Sequence, residues 1–165
     1  MASLQILIFD VRGVACALPR RAVRELLPLP RLWRPPSLPR PVAGFFSLGG
    51  AAVPVVRLDV LFGLGQGEGG PETQLYQHLI LVNGSGPYAL LVDRVLDMIE
   101  VDEARLSSVR QEETLNGCVE AEIDLEGRLV HLLSSERILF AEEQQALAEL
   151  SHHARSRLNE WVVPA

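Results

Sequence analysis

The sequence predicts a mainly β protein: two similar small β-barrel lobes packed together, short helices between strands, and a C-terminal α-helix. Three observations predict it. Short β-branched runs alternate with turn pairs such as Arg12-Gly13, Gly49-Gly50 and Glu126-Gly127. Proline recurs at 28, 30, 35, 36, 39 and 41, which excludes a helix interior or a central strand until residue 42. The two halves of the chain also resemble each other at fixed offsets.

Taken in order, Leu4–Val11 reads as a strand stopped by Arg12-Gly13, with Val14–Leu18 as its hairpin partner. Arg20–Glu25 suits one helical turn entered through Pro19. Phe45–Leu48 and Ala52–Val56 form a hairpin across Gly49-Gly50, and Leu58–Phe62 is a short helix halted by Gly63. Gly65–Pro71 reads as a flexible connection. Tyr76–Val82 and Tyr88–Val92 flank the turn Asn83–Gly86, and Val95–Val101 continues as strand. Val119–Asp124 pairs with Arg128–Leu133, and Ser134 is placed to cap a short helix ending near Phe140. Helical spacing of Leu147, Leu150, Ala154, Leu158 and Trp161 predicts a helix over 142–161, with acids opening it and basic residues closing it.

The repeat matches Ala17-Leu18, Val23, Glu25, Leu26 and Leu27 to Ala89-Leu90, Val95, Asp97, Met98 and Ile99. After a short insertion, Gly44, Gly50, Val56, Asp59 and Leu61 run parallel to Gly117, Gly127, Leu133, Glu136 and Ile138. A unit of about 70 residues has a marginal core, so two such units are expected to pack on each other. The division expected is lobe one over about 14–75 and lobe two over about 76–140, with the strand 4–12 able to complete lobe two.

All fifteen basic residues are arginine, which removes a Walker-type phosphate lysine and Schiff-base chemistry. Residues 1–63 hold eight Arg against Asp10, Glu25 and Asp59; the remainder holds seven Arg against eighteen acids. A basic half and an acidic half suit head-to-tail contacts between proteins. No dense basic run or interleaved aromatic platform is present, so nucleic acid is not an expected partner. The apolar runs fall short of a membrane span and no secretion signal opens the chain, which predicts a cytoplasmic protein without direct membrane insertion.

The residues supply no catalytic constellation. His78 and His131 sit in apolar strand runs, His152 and His153 are adjacent on a helix, and Gly63-x-Gly65-x-Gly67 lacks a strand–turn–helix setting. Glu112-Glu113 reads as a solvated loop and Glu120-x-Glu122 as the wet face of a strand. Cys16 and Cys118 lack metal spacing and read as reduced core residues. Neither an enzyme nor a cofactor is expected.

Several motifs in order resemble the CheW-like family of chemotaxis coupling proteins. They are Ala17-Leu-Pro-Arg-Arg-Ala-Val-Arg-Glu-Leu-Leu27 with its Val23-x-Glu25 pair, the prolines 30, 39 and 41, and Val42-Ala-Gly-Phe-Phe-Ser-Leu-Gly-Gly50 with Val53-Pro-Val-Val56. Ala89–Asp97 and Leu129–Leu139 complete the likeness, which spans about residues 4–140. The resemblance implies two five-stranded barrel lobes around a shared hydrophobic core and no catalysis. It implies coupling of chemoreceptor cytoplasmic signalling tips to the regulatory domain of a CheA-type histidine kinase, together with contacts to other CheW-like domains. The protein would then be recruited to membrane-bound receptor arrays. By the resemblance, Val23, Glu25, Gly44, Leu79, Ala89 and Val95 lie at or near partner-facing positions; Val23, Leu79 and Val95 equally suit a core.

Two departures stand out. Gly49 occupies the hairpin turn where the family usually has arginine, and Arg57-Leu58-Asp59 reverses the family's Asp-Leu-Arg. Both would alter partner choice more than fold, which points to a dedicated system such as surface sensing or pilus motility. The alternatives are a CheW-like regulator with one partner and, more distantly, a small β-barrel enzyme or ligand carrier.

Overall fold

The computed structural model describes residues 2–64, 77–83, 88–109 and 118–161. Among the described residues eleven strands form two sheets. The first, sheet A, runs β8 (Arg94–Asp102), β1 (Ser3–Val11), β2 (Val14–Pro19), β11 (Arg128–Leu133), β10 (Val119–Leu125) and the two-residue β9 (Ser107–Ser108). The second, sheet B, runs β3 (Val23–Pro28), β6 (His78–Val82), β7 (Tyr88–Val92), β5 (Ala51–Arg57) and β4 (Val42–Leu48). One-turn α1 (Leu58–Leu61) follows β5, and α2 (Ala141–Asn159) ends the fold. This is the mainly β, two-part architecture with a C-terminal helix that the sequence predicts, with six strands in sheet A and five in sheet B among the described residues.

Strand membership interleaves the halves of the chain, and β1 lies in the sheet that holds β8, β10 and β11. Sheet A takes β1 and β2 from the first half; sheet B takes β6 and β7 from the second. The pairings repeat strand for strand. In sheet A, β1 is antiparallel to β2 and β8, and β2 lies parallel to β11; in sheet B, β6 is antiparallel to β7 and β3, and β7 lies parallel to β5.

Register makes the repeat quantitative. Ala17 stands opposite Leu132, and Ala89 stands opposite Val55. Asp97 faces Ile8 while Glu25 faces Leu81, and in both sheets a bulge follows before Val95 or Val23 finds its partner. The turns Gly49-Gly50 and Glu126-Gly127 share positive φ values of 56° and 83° against 52° and 84°. Gly44 is a correction. It stands opposite Val55 as Ala121 stands opposite Leu132, so its counterpart is Ala121; Gly117 lies outside the described residues.

Alternation along each strand feeds two cores. Leu7, Phe9 and Leu18 of sheet A meet Ile80, Val82 and Leu90 of sheet B in a shared interior. The intervening residues face inward within each sheet: Ile6, Ile8, Ala17 and Leu132 in one, Val53, Val55, Leu79 and Ala89 in the other. Central strands are therefore apolar on both faces.

Three local expectations change. The helical turn near residue 20 covers only Arg20–Ala22, because pairing with β6 draws Val23–Pro28 into an edge strand. Ser134 caps no helix; residues 135–139 are turns that bury the consecutive Ile138 and Leu139, with the Arg137 N–H donating to the Ser134 carbonyl at 3.0 Å. The stripe of α2 is buried only in part: Leu147 and Ala154 are covered, while Leu158 is 40% and Trp161 81% exposed. The expected linker Gly65–Pro71, Tyr76 and the Glu112-Glu113 loop lie outside the described residues.

The segment before β4 lies against its open edge. Trp33 and Phe45 exchange backbone hydrogen bonds of 2.7 and 2.8 Å, which satisfies part of an exposed strand edge. Gly44 permits this approach: a Cβ there would stand 2.8 Å from the Trp33 carbonyl oxygen. Gly44→Ala is expected to lower stability by about 1–3 kcal/mol, the usual cost of overpacking. Urea denaturation measures the loss, and emission of Trp33 in a Trp161→Phe background reports the displaced segment. An unchanged midpoint with unchanged emission would refute this account of the glycine.

Candidate protein-interaction surfaces

β3 and β8 are equivalent edge strands of the two sheets, and they carry most of the outward-facing residues expected to meet partners. Val23 on β3 and Val95 on β8 occupy matching positions, half-buried against the shared core, so each is both a core residue and a rim residue. Glu25 is exposed beside Leu26, which is 37% exposed; on β8, Leu96 and Met98 are 39% exposed. Edge strands present unpaired backbone groups, and exposed apolar residues along them make such an edge adhesive.

The two edges differ in charge. Arg20 and Arg21 precede β3 and Arg24 lies on it, outnumbering Glu25, whereas Asp97, Glu100, Asp102 and Glu103 outnumber Arg94 and Arg105 along β8 and the turn after it. The charge asymmetry of the sequence thus becomes an asymmetry between two otherwise equivalent edges.

The remaining expected residues lie elsewhere. Leu79 and Ala89 are fully buried in the interior of sheet B, where they hold β6 and β7 together and have no surface to offer. Gly44 is buried beneath the Trp33 segment. Gly49 sits at the exposed tip of the β4–β5 turn, on the opposite side of the strand run from the Val23 edge in hydrogen-bonding order. Nothing lies within 4 Å of a Cβ added at Gly49. The equivalent turn holds Glu126 at nearly the same φ, so this chain already accepts a side chain in that conformation. Exposed and buried members of this set lie in similar apolar runs, so the sequence does not separate them.

The reversed Arg57-Leu58-Asp59 segment is engaged internally. Asp59 Oδ2 accepts from Arg12 Nε at 3.1 Å and Arg57 Nη2 at 3.2 Å, while Oδ1 accepts from the Val60 N–H at 2.9 Å. Arg12 belongs to the β1–β2 turn of sheet A, so the cluster ties the two sheets. The Arg12 N–H donates to Asp93 Oδ2 at 2.7 Å, and the Asp93 N–H donates to the Asp10 carbonyl at 3.0 Å, fixing the same turn to the β7–β8 junction. Burial pushes the Asp59 carboxyl upward, but hydrogen bonds and charge from Arg57 and Arg12 outweigh it and hold it below its usual range.

Chemistry elsewhere is muted. Burial drives the Cys16 thiol up to about 12 and the Cys118 thiol to about 11, so neither is a thiolate nucleophile near neutral pH. Among the described residues no group of three His, Cys, Asp or Glu is placed to hold a metal ion. His131 Nδ1 lies 3.5 Å from Glu122 Oε1, and His152 and His153 are exposed neighbours on α2. An apolar cleft of about 90 Å³ between the proline segment and α2 is bounded by Pro39, Val42 and Leu147, well below the size of ordinary ligand pockets. No helix is long and apolar enough to cross a membrane among the described residues.

Because the folded pKa of Asp59 lies below its unfolded value, its stabilisation is present above the ordinary carboxylate range and fades as pH falls through the folded value. Asp59→Asn is expected to cost about 1 kcal/mol at neutral pH, a part-exposed network of this kind being modest. Urea unfolding at a series of pH values should show wild type and variant converging in acid. A gap that stays constant with pH would remove the ion-pair explanation.

Comparison with curated proteins gives no match. Among solved structures, the fold is similar to that of the scaffolding protein TtCheW from Thermoanaerobacter tengcongensis, with a TM-score of 0.72 and 20% identity, covering 81% of this chain and 86% of that one. The CheW-like domain matches residues 5–143, which include both sheets and the entry to α2. On that match, over most of its length, the chain belongs to the CheW-like domain family.

Proposed function

We propose that this protein is a non-enzymatic coupling scaffold, joining chemoreceptor cytoplasmic signalling tips to the regulatory domain of a CheA-type histidine kinase. The observation that carries the reading is the pair of equivalent edges, β3 and β8, with opposite charge and exposed apolar residues. Two related but non-identical faces allow one small molecule to bridge two partners, and opposite charge keeps each partner on its own side. Val23 and Glu25 mark one face and Val95 the other; Leu79, Ala89 and Gly44 act behind the first by holding sheet B in shape. Membership of the CheW-like family supports this role, with recruitment to receptor arrays at the membrane following from it.

The departures at Gly49 and at Arg57-Leu58-Asp59 refine the proposal. The reversed ion pair is occupied by Arg12 and serves the junction between sheets, so it offers partners less than its sequence suggests. Gly49 leaves the turn tip without a cation. A receptor suited to such a tip belongs to a dedicated system, for which surface sensing or pilus motility is the proposal.

Isothermal calorimetry at moderate salt should detect binding of the whole chain to its cognate kinase regulatory domain and, separately, to a receptor signalling-tip fragment. Arg24→Glu is expected to weaken one of these interactions about tenfold, leaving the other intact, as charge at a rim does. Binding to a single partner would replace the coupling role with that of a regulator, and binding to neither would refute it. Gly49→Arg should fold with a loss of about 1 kcal/mol for its left-handed backbone and should change receptor affinity. Unchanged receptor affinity would count against a dedicated system.

A further inference from the structure

Helix α2 has a seat on sheet B. Ala154 packs on Phe45 and Ala52, with Leu150 beside it, and Ser151 Oγ donates to the Ala52 carbonyl at 2.6 Å. This is the face of β4 and β5 turned away from the interior that holds Phe46 and Val53. Cover by the helix leaves Phe45 and Ala52 only 2% exposed.

The repeat places a second copy of this seat on sheet A. Counting from Gly44 and Ala121, and from the turns at Gly49-Gly50 and Glu126-Gly127, Phe45 corresponds to Glu122 and Ala52 to Leu129. Pro54, opposite Phe45, corresponds to His131, opposite Glu122. Among the described residues no helix lies on this second seat, and Leu129 is 48% exposed. Its surroundings carry more acid than base: Asp124 stands directly across the ladder from Leu129, Glu122 is the next outward residue on β10, and Glu126 is exposed in the turn, while the adjacent Arg128 is paired with Asp10 at 2.6 Å.

The same helix carries an unused continuation of its apolar stripe. Leu158 follows Ala154 by four on the same helical face, and Trp161 lies in the turn just past the helix end, its N–H donating to the Leu158 carbonyl at 3.1 Å; they are 40% and 81% exposed. Arg155 and Arg157 flank Leu158, Glu160 precedes Trp161, and Trp161 helps line a notch with His153, Ser156, Arg157 and Glu160. An apolar pair beside two arginines and one glutamate, and a leucine among three acids whose neighbour Arg128 is already paired, are complementary in character and in net charge.

We propose that the overhanging end of α2, through Leu158 and Trp161, docks on the β10–β11 face around Leu129 of a second copy of this chain. The contact is heterologous, so it links copies head to tail. One leucine and one tryptophan meeting one leucine bury far less than a stable dimer requires, which makes the contact weak, salt-sensitive and dependent on local concentration. It uses neither edge strand and does not rest on the coupling role.

Sedimentation velocity of the full chain over a concentration series at low and high salt tests this. Wild type is expected to form species larger than monomer, reversibly, and to lose them as salt rises. Leu129→Asp and Trp161→Ser, each mixed only with itself, should remain monomeric with unchanged thermal midpoints. Their equimolar mixture should restore a dimer and stop there, because one variant keeps a working tail and the other a working seat. If Leu129→Asp disturbs the fold, Leu129→Ser serves in its place. A monomeric wild type, association that survives in either variant, or a mixture that stays monomeric would each overturn the proposal.

Discussion

The exchange of strands between the two halves of the chain is the constraint on which the rest depends. Each sheet is completed by two strands from the other half, so neither half can bury its apolar residues alone. Leu7, Phe9 and Leu18 need Ile80, Val82 and Leu90 across the shared interior, and residues one position along need the interior of their own sheet. A one-residue slip in any central strand would send both sets to the wrong core, which is why register is strongly specified here. A unit of about 70 residues buries too little surface to be comfortably stable, and interlocking two of them removes that limit.

A repeated design with differing side chains gives the molecule its surfaces. Equivalent positions share a backbone environment and carry different chemistry: arginines beside β3, acids along β8; Phe45 under a helix, Glu122 half-buried beside His131. Such differences leave both ladders intact because they fall on edge strands and on outward faces. The Arg12–Asp59–Arg57 cluster follows the same logic at the junction, where a turn from one sheet is fastened to α1 behind the other. A reversal of charge that looks like a lost binding feature in the sequence is satisfied from within the fold.

Strand identity was readable from local patterns, because turn pairs with positive φ and β-branched runs act over a few residues. The repeat was readable too, down to the pairing of Ala17 with Ala89 and Val56 with Leu133, which the parallel ladders reproduce. Its failure at Gly44 is instructive. Glycine was matched to glycine, whereas the ladder matches Gly44 to Ala121; the glycine answers a close approach by the Trp33 segment, whose counterpart β9 pairs with Ala121 and Glu122 through Ser108 and Ser107 and leaves room for the alanine methyl. Among the expected partner residues, Glu25 and Gly49 proved exposed while Leu79 and Ala89 proved buried. Period-two alternation cannot distinguish these cases when both faces of a strand are apolar.

The sequence by itself determined the order of strands and turns, the duplicated design, the helix at the end and the family to which the chain belongs. These depend on residues close together in the chain, or on motifs kept in order. Which half supplies each strand of a sheet, which edges stay open, and how far α2 is covered were decided only by tertiary structure. The parallel pairings of β2 with β11 and β5 with β7 join residues far apart in sequence, and burial of one apolar run against another is set by that packing. The hydrophobic effect is non-directional, so apolar residues state that they are to be buried without stating where.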